Sequence, residues 1–267
     1  MIIAYCSDLH GVKLLYESFF EKAVASHAQI LLFGGDLGPK AVGSWSRLVD
    51  VQREFWKDYL LPKMNSTLLP TGFILGNDDA RLIEDELVRS APPNVSYLHK
   101  AIGELGGLLV GGYAFTNRLP FRFKDWEKPE LLHDPPMTDP KFDIRTIPAE
   151  GGSLQDDFRE LEKNPRCREA IWVIHVPPFN TALDVIHDFR HVGSRVVRRF
   201  IERNQPVMAL HGHIHESPQM SGAWKDLIGN TPCFNAGSNP FHNQGWMIVA
   251  DTNDPGKAQR IALHGMA

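Results

Sequence analysis

Three short apolar runs near the start of the chain each end in a polar, glycine-bearing loop, and no other feature restricts the fold as much. Ile2–Cys6 runs into Ser7-Asp8-Leu9-His10-Gly11, residues 30–33 into Gly34-Gly35-Asp36-Leu37-Gly38, and residues 68–75 into Gly76-Asn77-Asp78-Asp79. Between them, residues 12–26 and 45–61 place apolar side chains at three- and four-residue spacing, the period of a helix. Strands that alternate with crossover helices build a parallel sheet, and such sheets bind ligands beyond the carboxyl ends of their strands. The pattern therefore predicts an α/β chain whose first half is a run of strand and helix, with three polar loops at one edge.

Further along, a hairpin is expected over residues 98–112, then an irregular, proline-rich insert over 116–152 that acts as a lid or pins itself to the body. Order resumes with a helix at 154–163, a strand at 170–174, a basic amphipathic helix at 192–203 and a strand at 207–210. Strands near 233–235, 247–250 and 260–263 are expected to complete the sheet. The whole of 1–267 is taken as one domain carrying this insert, and at that length roughly three quarters of the unfolded surface can be buried without disulfides.

Composition narrows the class. With 43% hydrophobic and 22% charged residues, the chain is neither disordered nor a disulfide scaffold. A formal charge of −4 gives no general attraction to a polyanion, so a nucleic-acid partner is not expected. Cys6, Cys167 and Cys233 form no CxxC pair and read as reduced core residues. No apolar run is long enough for a membrane span and no basic leader precedes the first strand, so a cytoplasmic protein without a membrane partner is expected.

The chemistry concentrates in the loops. Asp8, His10, Asp36, Asn77, His175, His213 and His215 are oxygen and imidazole donors, suited to Mn, Fe or Zn and poorly suited to copper. They are too many for one tetrahedral ion. Asp8 and His10, and likewise His213 and His215, are two residues apart, a spacing that lets each pair face one side in extended chain. There is no Walker A loop, no GxSxG elbow and no cysteine placed as a nucleophile.

Five blocks, Asp8-Leu9-His10, Gly35-Asp36, Gly76-Asn77-Asp78, His175-Val176-Pro177-Pro178 and Gly212-His213-Ile214-His215, resemble in order those of the calcineurin-like metallophosphoesterases. Asn235-Ala236-Gly237-Ser238 is similar to the Asn-Pro-Gly-Ser turn that follows in many members. The resemblance implies a four-layer sandwich, two mixed sheets face to face with helices outside, and a site for two divalent ions, with manganese favoured. It implies that Asp8, His10 and His215 hold one ion, Asn77, His175 and His213 the other, and that Asp36 bridges them. Two such ions lower the pKa of a shared water and neutralise phosphoryl oxygens, so a bridging hydroxide can attack phosphorus in line.

The chief departure is Asp78, where many members carry a histidine that serves the leaving group. With Asn77 it is taken as catalytic, yet a carboxylate beside two cations has a lowered pKa and is a poor acid. Either another group such as His99 or a lid residue donates the proton, or the leaving group needs none, or catalysis is weak. Arg118 and Arg122, in the insert, are candidate grips for a phosphate, and His99 a candidate substrate contact. The expected activity is hydrolysis of a small phosphate ester, a diester ahead of a monoester. The alternatives are a nuclease and a catalytically weak metal-binding scaffold. Asp184 is weighed as an orienter of a ligand histidine, and the arginines of the 192–203 helix as a solvated face.

Overall fold

A computed structural model describes residues 1–40 and 45–263. The first sheet opens with β1 (Ile2–Cys6), β2 (Ile30–Gly34), β3 (Thr71–Ile74) and β4 (Val95–Tyr97), each parallel to the next. The second is built on the hairpin β5 (Ala101–Leu105) and β6 (Leu108–Tyr113), followed by β7 (Ile171–Ile174), β8 (Met208–His211), β9 (Lys225–Ile228) and β10 (Thr231–Asn235). Strands β11 (Ser238–Asn239), β12 (Gln244–Asp251) and β13 (Gln259–Ala262) close the chain.

Spatial order in the first sheet is β11-β12-β1-β2-β3-β4 with β13 on β12, and in the second β5-β6-β7-β8-β10-β9. Parallel and antiparallel pairs occur in both, so the sheets are mixed. The late strands do not all finish one sheet, as the sequence pattern predicts. β10 joins the second sheet beside β8, whereas β12 returns across the molecule to pair antiparallel with β1. Local pattern cannot distinguish these destinations, because both offer an apolar face.

Nearly every residue of β1, β2 and β3 is buried, as a sheet covered on both sides requires. One cover is the helix Lys13–Ala25, whose Phe19 and Phe20 pack on Phe33 with ring centroids 5.0 and 5.9 Å away. The other cover is the second sheet, with β2 against β7 and β3 against β6. The outer face of that sheet is closed by the helices Leu154–Leu161 and Arg195–Asn204, where Phe200 meets Phe158 and Trp172, each at 4.8 Å. Helix, sheet, sheet and helix make four layers around one apolar core.

The helix expected over 45–61 is interrupted. Leu48–Phe55 is α-helical, Trp56–Leu60 forms a wider π turn, and Leu61–Ser66 resumes the α form. Pro62 lies at the start of that last piece; it has no N–H to donate and its ring crowds the carbonyl four residues earlier, which accounts for the widened turn. Sequence pattern also passed over β4, β9 and the short helix Glu84–Ser90, which are brief and half-exposed.

The 116–152 insert is irregular, as expected, apart from a single turn at Pro140–Phe142. It is pinned rather than loose. Trp126 is fully buried and its indole N–H donates to the Asp79 carbonyl at 2.8 Å. The buried Lys128 ammonium donates to Glu150 and Asp157, both at 2.8 Å, and Asp125 accepts from the Arg81 N–H at 2.8 Å. Phe123 is buried as well and stacks on Trp45, whereas Phe121 stays exposed. Trp126→Ala should cost about 3–5 kcal/mol, read as a lower urea midpoint; an unchanged midpoint would show that the insert is not fastened there.

Candidate metal centre

The donors sit at the carboxyl ends of strands in both sheets. Asp8 and His10 follow β1, Asp36 follows β2, Asn77 follows β3, His175 follows β7, and His213 and His215 follow β8. Four of the seven, Asp8, His10, Asp36 and His213, have left-handed backbones with φ of 58°, 46°, 54° and 64°. Each such residue costs of order 1 kcal/mol, so a cluster of them at one edge marks a place where geometry is held against local preference.

The loops approach each other closely enough to require glycine at two points. A Cβ on Gly76 would lie 2.3 Å from Asp36 Oδ1, and one on Gly212 would lie 2.3 Å from Asp8 Oδ2. Buried polar bonds then lock the loops together. The His213 N–H donates to both Asp8 oxygens at 2.9 and 3.1 Å, and Ser238 Oγ donates to the Asp8 carbonyl at 2.8 Å. Asn235 Nδ2 donates to the Ile214 carbonyl at 3.0 Å, so the Asn-Ala-Gly-Ser turn steadies the His213–His215 loop.

Asp8, His10 and Asp36 offer donor atoms that all lie within 4.8 Å of one another. Asp36 faces two ways: Oδ2 is 3.9 Å from His10 Nε2, and Oδ1 is 3.6 Å from His175 Nε2. On the second side, Asn77 Oδ1 is 3.2 Å from His175 Nε2 and 2.5 Å from His213 Nδ1. The His175 Nδ1–H donates to the Gly34 carbonyl at 2.7 Å, which aims Nε2 at the cluster. His215 is partly exposed, its ring 6.0 Å from that of His10. Among the described residues, both ring nitrogens of the buried His10 lack a hydrogen-bond partner, an arrangement that costs free energy in a closed protein and that a cation would relieve. The donor set therefore fits divalent metal.

Charges in the cluster are strongly perturbed. Burial raises Asp8 and is opposed chiefly by His175. Asp36 goes the other way: burial would raise it, but His175 and the Asp78 N–H hold it far below the usual carboxylate range. Burial drives His10 well down and His213 down to about 3, whereas for His175 the pull of burial is overcome by Asp36 and Asp8, which push it up to about 9. A proton must leave His175 before its nitrogen can hold an ion. Metal uptake should accordingly weaken as pH falls below about 9, by up to about tenfold per unit for the one competing proton. Chelator competition across the neutral range checks this, and affinity independent of pH would contradict it.

The other sequence-derived candidates fall elsewhere. His99 is packed against Tyr113, Phe115 and Trp126 with its Nδ1 accepting from the Ala114 N–H at 3.0 Å, and burial drives it well down, so it is a neutral acceptor inside the fold. Arg118 donates to Glu127 at 2.9 Å and to the Asp134 carbonyl, and Arg122 to the Phe142 carbonyl at 2.9 Å; both are engaged within the insert. Asp184 accepts from the N–H groups of Thr181 and Gly193 and from His191, organising its own loop rather than a cluster histidine. Arg198 pairs with Glu202 and Arg203 with Glu162 on the outer helix, a solvated face.

Three residues that build the site escaped sequence reading. Asp79, fully buried, accepts from the N–H groups of Leu37, Gly38 and Gly76 at 3.2, 2.7 and 2.9 Å. Burial and Asp36 push its carboxyl up to about 7, against those three N–H groups. Gln52, also fully buried, donates to the Pro39 and Asp78 carbonyls and accepts from the Ala80 N–H. Lys40 Nζ stands 3.1 Å from Asp78 Oδ2. The only local signal was a second aspartate after Asn77 and a lysine after Gly38-Pro39.

Two mixed sheets with oxygen and imidazole donors gathered at their strand ends make a candidate metal centre. The family model described as calcineurin-like phosphoesterase matches residues 1–217, and the chain belongs to that family. It is a phosphoesterase whose hydrolysis of phosphate esters depends on divalent metal. Among solved structures it is similar to TT1561 of Thermus thermophilus, at 16% identity and a TM-score of 0.63 with 97% of each chain covered. It is also similar to GAP50, the anchor in the inner membrane complex of Plasmodium, at 9% identity and a TM-score of 0.52, covering 98% of this chain and 89% of that one. At such identities these likenesses speak to the fold alone. No protein with a curated function matches the chain.

Proposed function

We propose that the chain, as one domain over residues 1–267, hydrolyses a small phosphodiester. In this reading Asp8, His10 and His215 hold one divalent ion, Asn77, His175 and His213 hold a second, and Asp36 serves both. Two divalent ions held there, manganese foremost, would supply Lewis acidity toward the phosphoryl oxygens and lower the pKa of a water at the site. The observation that carries the reading is Asp36, whose two oxygens face His10 and His175 separately. The protein's own part is to hold charge and direction. Gly34 aims His175, the His213 backbone fixes Asp8, and the Asp78 N–H donates to Asp36 at 2.7 Å.

A diester is favoured over a monoester on charge. A monoester dianion adds negative charge beside Asp8, Asp36 and Asp78 and calls for an acid at the leaving oxygen, a role that His99 in its aromatic pocket does not fill. A nuclease would need a basic groove, and among the described residues the nearest ion-paired cation is Lys40, which pairs with Asp78 beside the cluster. The three cysteines are free and buried, in keeping with a reducing cytoplasm. Among the described residues no helix is long and apolar enough to cross a membrane.

Chelator-stripped protein assayed on bis(p-nitrophenyl) phosphate, with and without Mn²⁺, tests the reading. Turnover that appears only with metal is the expected result. Two tightly bound ions with no turnover on diesters or monoesters would leave a metal-holding scaffold.

A further inference from the structure

We propose that Lys40 is the residue that grips the substrate's phosphoryl group, and that Asp78 positions Lys40 instead of acting as an acid. This rests on the phosphoesterase reading and adds the residue that takes over charge handling where Asp78 replaces a histidine. Lys40 Nζ lies 3.1 Å from Asp78 Oδ2, and the same oxygen is 3.8 Å from His10 Nδ1. The ammonium thus stands one carboxylate away from the donor cluster. Its side chain is 33% exposed, so it is open to a ligand arriving from solvent. It also lies over the face of Phe241, 5.3 Å away, a contact that lends direction without consuming an N–H.

The pair is built into the fold. Asp78 is held at its backbone by Asp36 Oδ1 at 2.7 Å, and its side-chain Oδ1 accepts from Asn77 Nδ2 at 3.0 Å, leaving Oδ2 for the lysine. The buried Gln52 amide donates to the Pro39 carbonyl at 3.0 Å and to the Asp78 carbonyl at 2.8 Å, so one side chain sets the spacing of the two loops that carry Lys40 and Asp78. An ammonium fixed in this way can bind a phosphoryl oxygen through the N–H groups that Asp78 does not use. A carboxylate already committed to Lys40 and Asn77 is not free to protonate a leaving oxygen.

The experiment compares wild type, K40A, K40R, D78A and K40A/D78A, each Mn²⁺-loaded, using inorganic phosphate as a competitive inhibitor of bis(p-nitrophenyl) phosphate hydrolysis. Metal content and thermal midpoint are measured alongside. K40A should bind both ions and melt normally, while phosphate inhibition weakens about 10- to 100-fold, the loss of one charged hydrogen bond. K40R should recover part of that loss. D78A should weaken phosphate binding less than K40A does, and the double variant should be no worse than K40A alone. Unchanged phosphate inhibition in K40A, or losses that add in the double variant, would overturn the proposal. A wild type that binds no metal and turns over no ester would instead overturn the phosphoesterase reading and take this one with it.

Discussion

On the two-ion reading proposed for Asp36, Asp36→Asn should lower bound metal below two ions and reduce hydrolysis by at least about a thousandfold, since losing a charge that serves both ions forfeits several kcal/mol of stabilisation. The side chain is nearly identical in size, and Asn can still accept the Asp78 N–H that Asp36 accepts at 2.7 Å, so the fold should survive. What it loses is the charge that both His10 and His175 face. Because Asp36 is the main group pushing His175 up, the variant's His175 should also release its proton at lower pH. Metal analysis beside a rate measurement decides the matter. A variant that keeps two ions and a rate within about tenfold of wild type would overturn the shared role proposed for Asp36.

Asp79→Ala should destabilise the protein by roughly 3 kcal/mol or more, by leaving buried backbone donors without an acceptor. The N–H groups of Leu37, Gly38 and Gly76 all converge on this one carboxylate. Those residues flank Asp36 and Asn77, so metal affinity should fall with stability even though Asp79 is itself no donor in the cluster. Asp79→Asn, which keeps one acceptor oxygen, should lose less. Urea unfolding of the metal-free variants checks the first effect and metal titration the second. A loss below about 1 kcal/mol would mean that water replaces the carboxylate, and the loops would then be held by Gln52 and the bond from the Asp78 N–H to Asp36.

How much of this was legible in advance depended on whether the signal was local. β1, β2 and β7 are buried on both faces, so their sequences are unbroken apolar runs that announce themselves. β4 and β9 are three and four residues long and half-exposed, and nothing in their composition sets them apart from loops. The seven candidate ligands could be picked out because each lies in a short block after an apolar run, with glycine beside most of them. Asp79 and Gln52 were not, since an aspartate near a turn and a glutamine in a helix are ordinary until their backbone partners are known.

The sequence by itself determined the strand ends, the donor types and their order, because periodicity and turn chemistry act over a few residues. Only the tertiary structure decided which donors meet. Asp8 and His213 are bonded across 205 positions and His175 and Asn77 across 98, distances over which no pattern in the chain carries information. The same holds for the partition of β10 and β12 between sheets and for the removal of His99 into an aromatic pocket. Packing settles such questions, since each buried face must find a partner and each buried polar atom an acceptor or donor, and only the closed fold satisfies both at once.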